Sequence, residues 1–367
     1  MNRSARMAMT AMMTLFLSAA LSPAADEVWI DPRCSRLPFQ KLGPFLHLSD
    51  GRILCIDGNT TTVTGDGGQT WSEPAPICDV PKPDIPGIYL AVRTRDGVIV
   101  LLYTDDSTFK WGWDDAKGEP APDVQTDVWS IRSLDEGKTW GDRQMILDGY
   151  CGALIDMIQT STGRIAVPVQ DLFRNPGRHE IRPYYSDDDG KTWHSEQIID
   201  LGGHGHHDGA LEPTLVELSD GRLWMLIRTN WDYFWEAFSE DQGRWWRTIR
   251  PSRIDASSSP GDLLRLTSGR LALVWNRLCP EGVAEVPREG SVQASKAPAS
   301  WHRQELSLAF SEDDGKTWSK PAVLARRQDG GLSYPSLFEA KPGELWVFTR
   351  YSHHLYLAAK EADFLGK

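Results

Sequence analysis

Five polar residues that could act together stand at matched distances from landmarks that recur along the chain. Glu212 lies nine residues before Gly221, and Tyr334 lies nine before Gly343. The others follow similar counts: Arg228 seven after Gly221, Asp57 six after Gly51, and Arg303 eight before Ser311. A tyrosine hydroxyl, with a pKa near ~10, needs a neighbouring base to become a nucleophile, and Glu212 could supply it. Arginines bind carboxylates through two hydrogen bonds, so the set suits an anionic substrate.

One landmark is an octet, Ser/Thr-x-Asp-x-Gly-x-x-Trp. It occurs five times, at 64–71, 133–140, 186–193, 239–246 and 311–318. Its Asp can accept hydrogen bonds from the backbone of its own turn, its Gly permits a positive φ, and its Trp can pack on neighbouring structure. Five copies of a catalytic acid would serve no purpose, whereas five copies of a turn would, so the octets are interpreted as structural.

The other landmark is a glycine turn between two apolar runs. It occurs six times, at Gly51, Gly97, Gly163, Gly221, Gly269 and Gly343. Each unit predicts a two-stranded hairpin, a third strand leading into the octet and a fourth strand after its Trp. The repeat therefore predicts an all-β fold, a six-bladed β-propeller of four-stranded antiparallel blades. The sixth hairpin has no octet after it, and segment 27–33 is expected to supply its outer strand.

The propeller geometry explains why residues at similar separations from a turn glycine or an octet should lie close together. The innermost strand of a blade runs to the glycine turn at one face, the second strand returns, and the third begins at the same rim. Glu212, Tyr334, Arg228, Arg303 and Asp57 are therefore expected on one rim near the axis. Two long insertions, 105–127 and 277–302, are predicted to be loops, where function often resides.

The N-terminus and the charge of the chain restrict its location and partners. Residues 1–25 contain Arg3 and Arg6, an apolar run and small residues, which predicts a secretory signal peptide and a secreted or periplasmic protein. Residues 26–367 are then expected to form one domain, here taken to be a monomer. Loss of two arginines and no acids changes the net charge from −12 to −14. Such an acidic chain is a poor binder of nucleic acid or anionic membranes.

The five cysteines, Cys34, Cys55, Cys78, Cys151 and Cys279, are widely spaced and show no zinc-site pattern. Isolated buried thiols are slightly favoured over disulfides, since a chain of this length can fold around its core without them.

The octets resemble the Asp-box, or bacterial neuraminidase repeat, of the sialidase superfamily, and the resemblance extends over nearly the whole mature chain. It implies a retaining exo-glycosidase for terminal acidic sugars, with no metal and no cofactor, acting on an acidic glycan. Sialidases are the glycosidases that use a Tyr nucleophile. By resemblance, Tyr334 is the nucleophile, Glu212 its base and Asp57 the acid/base. Arg228, Arg303 and Arg36, the last in "RLP" at 36–38, correspond to the arginine triad.

Several alternatives stay open at this stage. Arg178, Arg277 and Arg350 also stand at rim-compatible counts and could replace Arg36. The loop with His204, His206, His207 and Asp208 could contact substrate, supply a general acid or, less readily, bind metal. Phe109, Trp111 and Trp113 could stack on sugar faces or simply cover the propeller edge. A hydrolase or lyase for uronic-acid or sulfated polysaccharide, or a non-catalytic glycan-binding propeller, would fit the same rim.

Overall fold

Six antiparallel sheets arranged as blades make up the protein, confirming the all-β six-bladed propeller. The computed structural model describes residues 28–77, 80, 89–291 and 295–366. The expected signal peptide at 1–25 and Cys78 lie outside the described residues. Within them the only helical element is a short 3₁₀ turn at Glu361–Asp363, and no helix is long and apolar enough to cross a membrane.

The strands are numbered along the chain. Two short N-terminal strands come first: β1 (Trp29–Ile30) and β2 (Ser35–Arg36). Blade 1 contains β3 (Phe45–His47), β4 (Ile53–Asp57), β5 (Thr60–Thr64) and β6 (Ala75–Pro76). Blade 2 contains β7 (Tyr89–Arg93), β8 (Ile99–Lys110), β11 (Gln125–Ser133) and β12 (Gly141–Leu147), with an added hairpin, β9 (Trp113–Asp114) and β10 (Glu119–Pro120). Blade 3 contains β13 (Ile158–Gln159), β14 (Ile165–Arg174) and β15 (Gly177–Ser186).

The second half of the ring follows the same plan. Blade 4 contains β16 (Leu211–Glu217), β17 (Leu223–Arg228), β18 (Tyr233–Ser239) and β19 (Thr248–Asp255). Blade 5 contains β20 (Asp262–Arg265), β21 (Leu271–Trp275), β24 (Glu305–Ser311) and β25 (Ala322–Arg326), with an added hairpin, β22 (Glu289–Ser291) and β23 (Ser295–Ala299). Blade 6 contains β26 (Leu332–Lys341), β27 (Glu344–Ser352) and β28 (Leu355–Lys360).

The structure refines three details of the predicted fold. Blade 6 takes its outer strand from β2, whose Arg36 pairs with Leu357, while β1 from the expected segment 27–33 pairs instead with β25 and widens blade 5. Blade 3 has three strands, and residues 194–199 approach β15 only through isolated bridges. The two insertions, expected to be loops, each contain a short hairpin.

The blades are held together by apolar side chains at every junction. Six hydrophobic clusters are present, each formed between two neighbouring blades. The cluster between blades 6 and 1 joins Phe45 and Cys55 to Trp346 and Phe348. Removal of this apolar surface from water is what favours ring closure. The four cysteines in the described part of the chain are free thiols, of which Cys55 and Cys151 are buried and Cys34 and Cys279 are partly exposed.

The octets form the turns that their sequence predicts. In the second octet, the carboxylate of Asp135 accepts hydrogen bonds from the backbone N–H of Thr139 at 2.8 Å and from its hydroxyl at 2.6 Å. Gly137 has a φ of 83°, and a Cβ there would lie 2.6 Å from Leu54 of blade 1. Glycine is therefore needed both for the turn and for the close approach of the neighbouring blade.

Asp135 provides a test of this structural role. Hydrogen bonds from the Thr139 side chain and backbone hold the pKa of Asp135 at about 2, below its ordinary 3.8. Because folding lowers the pKa of Asp135, its ionised carboxylate stabilises the fold fully at any pH above the pKa it has in the unfolded chain. This stabilisation is lost as pH falls towards 2. We expect Asp135→Ala to lower the thermal unfolding midpoint at pH 7 by about 2–4 °C, the equivalent of one exposed turn contact in a chain of this size.

The difference from wild type should shrink between about pH 4 and pH 2, as followed by circular dichroism. Lys138→Ala, an exposed change in the same octet, is the matched control. If the difference in unfolding midpoint between Asp135→Ala and wild type is the same at pH 2 as at pH 7, the assigned turn role is contradicted.

Candidate functional site

A cavity of about 1040 Å³ lies among the inner strands and is bordered by residues from several blades. Glu212 of β16 and Tyr334 of β26 line it, as do Arg350 and Tyr351 of β27. It also reaches Gly221 and Gly269, in the turns of blades 4 and 5. Of the five residues placed by counting, Glu212 and Tyr334 therefore line this cavity.

Glu212, Tyr334 and Arg228 form one hydrogen-bonded group across blades 4 and 6. The Tyr334 hydroxyl donates to Glu212 Oε1 at 2.6 Å. Arg228 Nη1 donates to Glu212 Oε2 in a buried ion pair and lies 3.3 Å from the Tyr334 hydroxyl oxygen. The Arg228 side chain is fully buried and that of Glu212 is 7% exposed. This places a proton acceptor directly on the tyrosine hydroxyl.

The backbone is irregular at both of these residues. Glu212 has a φ of 39° and Tyr334 a φ of 55°, values that cost a non-glycine residue on the order of 1–3 kcal/mol. A proline follows each one, Pro213 and Pro335, and proline has no N–H to leave unpaired where the strand is interrupted. The Glu212 N–H is satisfied outside the ladder by Gln170 Oε1 at 2.8 Å. Both side chains are thus presented from kinked inner strands.

The electrostatics of the site keep the tyrosine protonated at rest. Burial raises the pKa of Tyr334 to about 12, and the Glu212 carboxylate adds to the rise, while Arg228 and Arg303 oppose it. Nucleophilic use of this hydroxyl therefore requires that Glu212 take its proton as the new bond forms.

Arg303 lies beside the same group with donors to spare. Its guanidinium is 5.8 Å from the centre of the Tyr334 ring, and its Nη2 donates to the Ser258 carbonyl at 2.6 Å. Its buried Nε has no hydrogen-bond partner within the described chain. Burial lowers the pKa of Arg303, and the positive charge of Arg228 lowers it further. Two arginines facing one carboxylate leave excess positive charge, which suits an anionic ligand.

Ser258, Asn230 and Gln170 support the site, although the sequence analysis did not identify them. Ser258 Oγ accepts from Arg228 Nη2 at 2.9 Å and donates to Asn230 Oδ1 at 2.6 Å. Asn230 in turn donates to the His207 carbonyl at 2.6 Å. A polar "SSSP" run at 257–260, just ahead of an inner strand, was the available signal for Ser258.

The structure does not bring Arg36 or Asp57 to this group. Arg36 is exposed on β2, the outer strand of blade 6, where it pairs with Leu357 of β28. The Asp57 side chain is 60% exposed and lies 3.6 Å from Lys41 in an ion pair. Neither residue borders the cavity. Of the six site residues expected from sequence, four come together and two lie apart.

The histidine loop and the blade 2 insertion pack against each other near the site. The His206 ring centre lies 5.7 Å from that of Trp111 and 5.5 Å from that of Trp113. The Nδ1 atoms of His206 and His207 share a hydrogen bond, whose donor depends on the tautomers. Burial lowers the pKa of His207 to about 3, and Arg228 contributes to the lowering. Across residues 28–77, 80, 89–291 and 295–366, no group of three or more His, Cys, Asp or Glu is placed to hold a metal ion.

The Tyr334–Glu212 contact can be tested without any substrate. Replacing Glu212 by Gln removes a negative charge that opposes the tyrosinate and leaves the two arginines that favour it, so we expect the pKa of Tyr334 to fall from about 12. The measurement is a pH titration of ¹³Cζ-labelled tyrosine by NMR, with Tyr334→Phe used to assign the resonance. Glu217→Gln, a change at the far end of the same strand, is the control and should leave that pKa in place. An unchanged pKa in Glu212→Gln would show that the two groups are not in contact in solution.

Comparison with known proteins agrees with this architecture. A sialidase of Micromonospora viridifaciens is 26% identical over 322 residues, which are 80% of this chain and 46% of that protein, so the chain spans less than half of that relative's length. The NanB sialidase of Streptococcus pneumoniae superimposes with a TM-score of 0.60 at 14% identity, covering 93% of this chain and 71% of that one. A Dyadobacter fermentans protein of unknown function gives a TM-score of 0.59 at 16% identity, covering 89% and 98% of the two chains. The BNR repeat-like domain profile matches residues 66–347, well over half of the sequence, and the chain therefore belongs to the BNR repeat-like domain family.

Proposed function

We propose that this protein is a sialidase-type exo-glycosidase that hydrolyses terminal acidic sugars by a retaining mechanism. The observation that carries the proposal is the 2.6 Å hydrogen bond from the Tyr334 hydroxyl to the Glu212 carboxylate, with both residues lining the cavity and the Arg303 guanidinium 5.8 Å from the centre of the Tyr334 ring. The similarity to the Micromonospora viridifaciens sialidase supports the same class of reaction. The apolar stretch at 1–25, if it is a signal peptide, would bring the enzyme to acidic glycans outside the cytoplasm.

The geometry suggests how the first step proceeds. Tyr334 Oη attacks the anomeric carbon, the tyrosine proton passes to Glu212 Oε1, and the bond from that carbon to the leaving oxygen breaks as the departing alcohol takes up a proton. In a sialoside the anomeric carbon carries a carboxylate, so a neutral tyrosine meets less repulsion there than a carboxylate nucleophile would. Arg228 and Arg303 would bind that carboxylate. Water then attacks the anomeric carbon as the glycosyl–tyrosine bond breaks, Glu212 returns the proton to Tyr334, and the proton lost by the water replaces the one that the departing alcohol took up.

Protonation of the leaving group is the step for which Asp57 is the sequence-based candidate. Asp57 is exposed and paired with Lys41, and within the described part of the chain it makes no contact with the Tyr334 group. This position also favours a second candidate function, a propeller that binds acidic glycans without cutting them. Long incubation with a sialylated oligosaccharide separates the two, because only an enzyme releases free sugar.

Replacing Tyr334 tests the nucleophile. We expect Tyr334→Phe to lower turnover of an aryl sialoside by on the order of 10³-fold or more, because a phenyl ring offers no oxygen for the covalent step. Initial rates of phenol release give the measurement. Tyr233→Phe is the control, because Tyr233 is 43% exposed and does not border the cavity. It should stay within a few-fold of wild type, and full activity in Tyr334→Phe would exclude the mechanism.

Comparison of leaving groups tests Asp57. Loss of a general acid typically costs 10²–10⁴-fold, and the cost is concentrated on substrates with poor leaving groups. Given the placement of Asp57, we expect Asp57→Asn to lower kcat/KM less than about 10-fold for both nitrophenyl sialoside and sialyllactose. A loss above about 100-fold confined to sialyllactose would assign the acid role to Asp57 and imply that blade 1 closes over the substrate.

A further inference from the structure

The inner strands of blades 3 to 6 share a polar position. Seven residues before each turn glycine the chain has a side chain with an oxygen that can accept a hydrogen bond: Asp156, Thr214, Asp262 and Ser336. In blades 1 and 2 the same count gives Pro44 and Leu90. In blades 4 and 6 this position comes two residues after Glu212 and Tyr334, so it lies about one strand repeat further from the rim.

Three of these polar side chains accept a hydrogen bond from the backbone of the next blade. The pairs, with the donating N–H first, are Leu215 with Asp156 Oδ2 at 2.8 Å, Leu263 with Thr214 Oγ1 at 3.0 Å, and Leu337 with Asp262 Oδ2 at 2.6 Å. Each donor stands six residues before its own turn glycine. The innermost strand of a blade pairs on one side only, so N–H groups on its other edge need such partners. The three bonds form an axial belt across blades 3 to 6.

The axial belt connects the strand of Glu212 to the strand of Tyr334. The β16 residue that accepts from Leu263 lies two positions after Glu212. The next contact begins one residue away in blade 5, where Asp262 accepts from Leu337, three positions after Tyr334 in β26. Blade 5 thus ties blades 4 and 6 together through two consecutive residues. The hydrogen bond between Tyr334 and Glu212 spans the same two strands at the rim, so its length depends on the spacing that the belt sets.

The contribution of Asp262 to the belt is an acceptor oxygen rather than a charge. Burial raises the pKa of Asp156 and of Asp262, and the negative charge of Asp156 raises the pKa of Asp262 further. Both side chains border the same cavity as Glu212 and Tyr334. A carboxyl in such surroundings is protonated more readily than an exposed one, but its carbonyl oxygen still accepts a hydrogen bond when it is neutral.

We propose that Asp262 is a positioning residue for the reacting groups, which holds the strand of Tyr334 at the height where the tyrosine hydroxyl meets Glu212; this inference rests on the function proposed above. Asp156 holds the strand of Glu212 in the same way, through the N–H of Leu215. Both carboxyls act through the backbone rather than on the substrate. A misplacement of about 1 Å between reacting groups can cost on the order of 10²-fold in rate.

Replacement of Asp262 tests the proposal with two measurements on the full chain. Asp262→Leu keeps the branched shape and removes the acceptor, and we expect it to lower kcat for an aryl sialoside by about 10- to 100-fold while KM stays within a few-fold. The pKa of Tyr334 should fall from about 12, because the Glu212 carboxylate that helps to raise it moves away. That pKa is read by NMR titration of ¹³Cζ-labelled tyrosine. Asp262→Asn keeps an acceptor and should recover most of both losses.

Glu339 provides the matched control, because it joins the same two blades at the opposite face. Its carboxylate accepts from the N–H of Thr267 in blade 5 at 2.7 Å and from the N–H of Gly343 in blade 6 at 2.8 Å. Glu339→Leu removes a comparable contact between blades, and we expect kcat and the pKa of Tyr334 to stay as in wild type. Equal losses in Glu339→Leu would mean that any loosening of these blades has the same effect, which would overturn the specific role of Asp262.

The outcomes separate this inference from the proposed function. If Asp262→Leu keeps the kcat and the Tyr334 pKa of wild type, or if Asp262→Asn loses as much as Asp262→Leu, the positioning role is wrong and the proposed function stands. If wild type cleaves no aryl sialoside, the proposed function fails, and the Tyr334 pKa still decides whether Asp262 sets the contact with Glu212. Should Asp262→Leu not fold, as judged by circular dichroism, Asp156→Ala replaces it. That variant frees Leu215 in the strand of Glu212, and the same results would support or overturn the proposal.

Discussion

The hydrogen bond between Tyr334 and Glu212 is the contact on which the site depends, and it is a contact between blades that are not adjacent. Glu212 belongs to blade 4 and Tyr334 to blade 6, so a donor–acceptor distance of 2.6 Å is reached only if the ring closes with both inner strands at one height. A strand advances about 3.3 Å per residue, so a register slip of one residue would break this bond. Ring closure depends on the six junction clusters and on β2, which completes blade 6.

The charge of the group around Tyr334 is opposite in sign to that of the whole chain. The protein has a net charge of −12, yet the group around Tyr334 places Arg228 and Arg303 against the single carboxylate of Glu212. Burial disfavours the charged form of Arg303, and the like charge of Arg228 disfavours it further, so both lower the pKa of Arg303. Under the proposed function, a bound carboxylate would relieve that repulsion, and this relief would contribute to the binding free energy. The acidic exterior would discourage other polyanions from gathering elsewhere on the surface.

The repeat made most of the fold predictable, and it also explains where residue counting failed. Distance from a turn glycine gives the height of a residue in its blade, but side chains alternate between the two faces of a strand. Arg228 and Arg350, both seven residues after their glycines, share one phase and both face polar partners near the axis, whereas Asp57 at six and Arg277 at eight fall on the opposite phase. The prediction for Arg36 fails for a different reason. Its segment forms β2, the outer strand of blade 6. Ser258 and Asn230 could not be found by counting, since both lie in connections between strands.

The kinked backbone at Glu212 and Tyr334 bears on whether the rim is built to bind or to react. A binding rim can be made from regular strand ends, because a hydrogen bond to a ligand tolerates modest changes of angle. Two non-glycine residues with positive φ, each followed by proline, together cost several times the net free energy that an ordinary hydrogen bond contributes. Such conformations persist only where the surrounding structure holds them. Here the supporting contacts are the ladder on either side of each kink and the Gln170 side chain. What the kinks achieve is the alignment of one hydroxyl with one carboxylate, an arrangement that a proton transfer needs and that simple recognition of an anion does not.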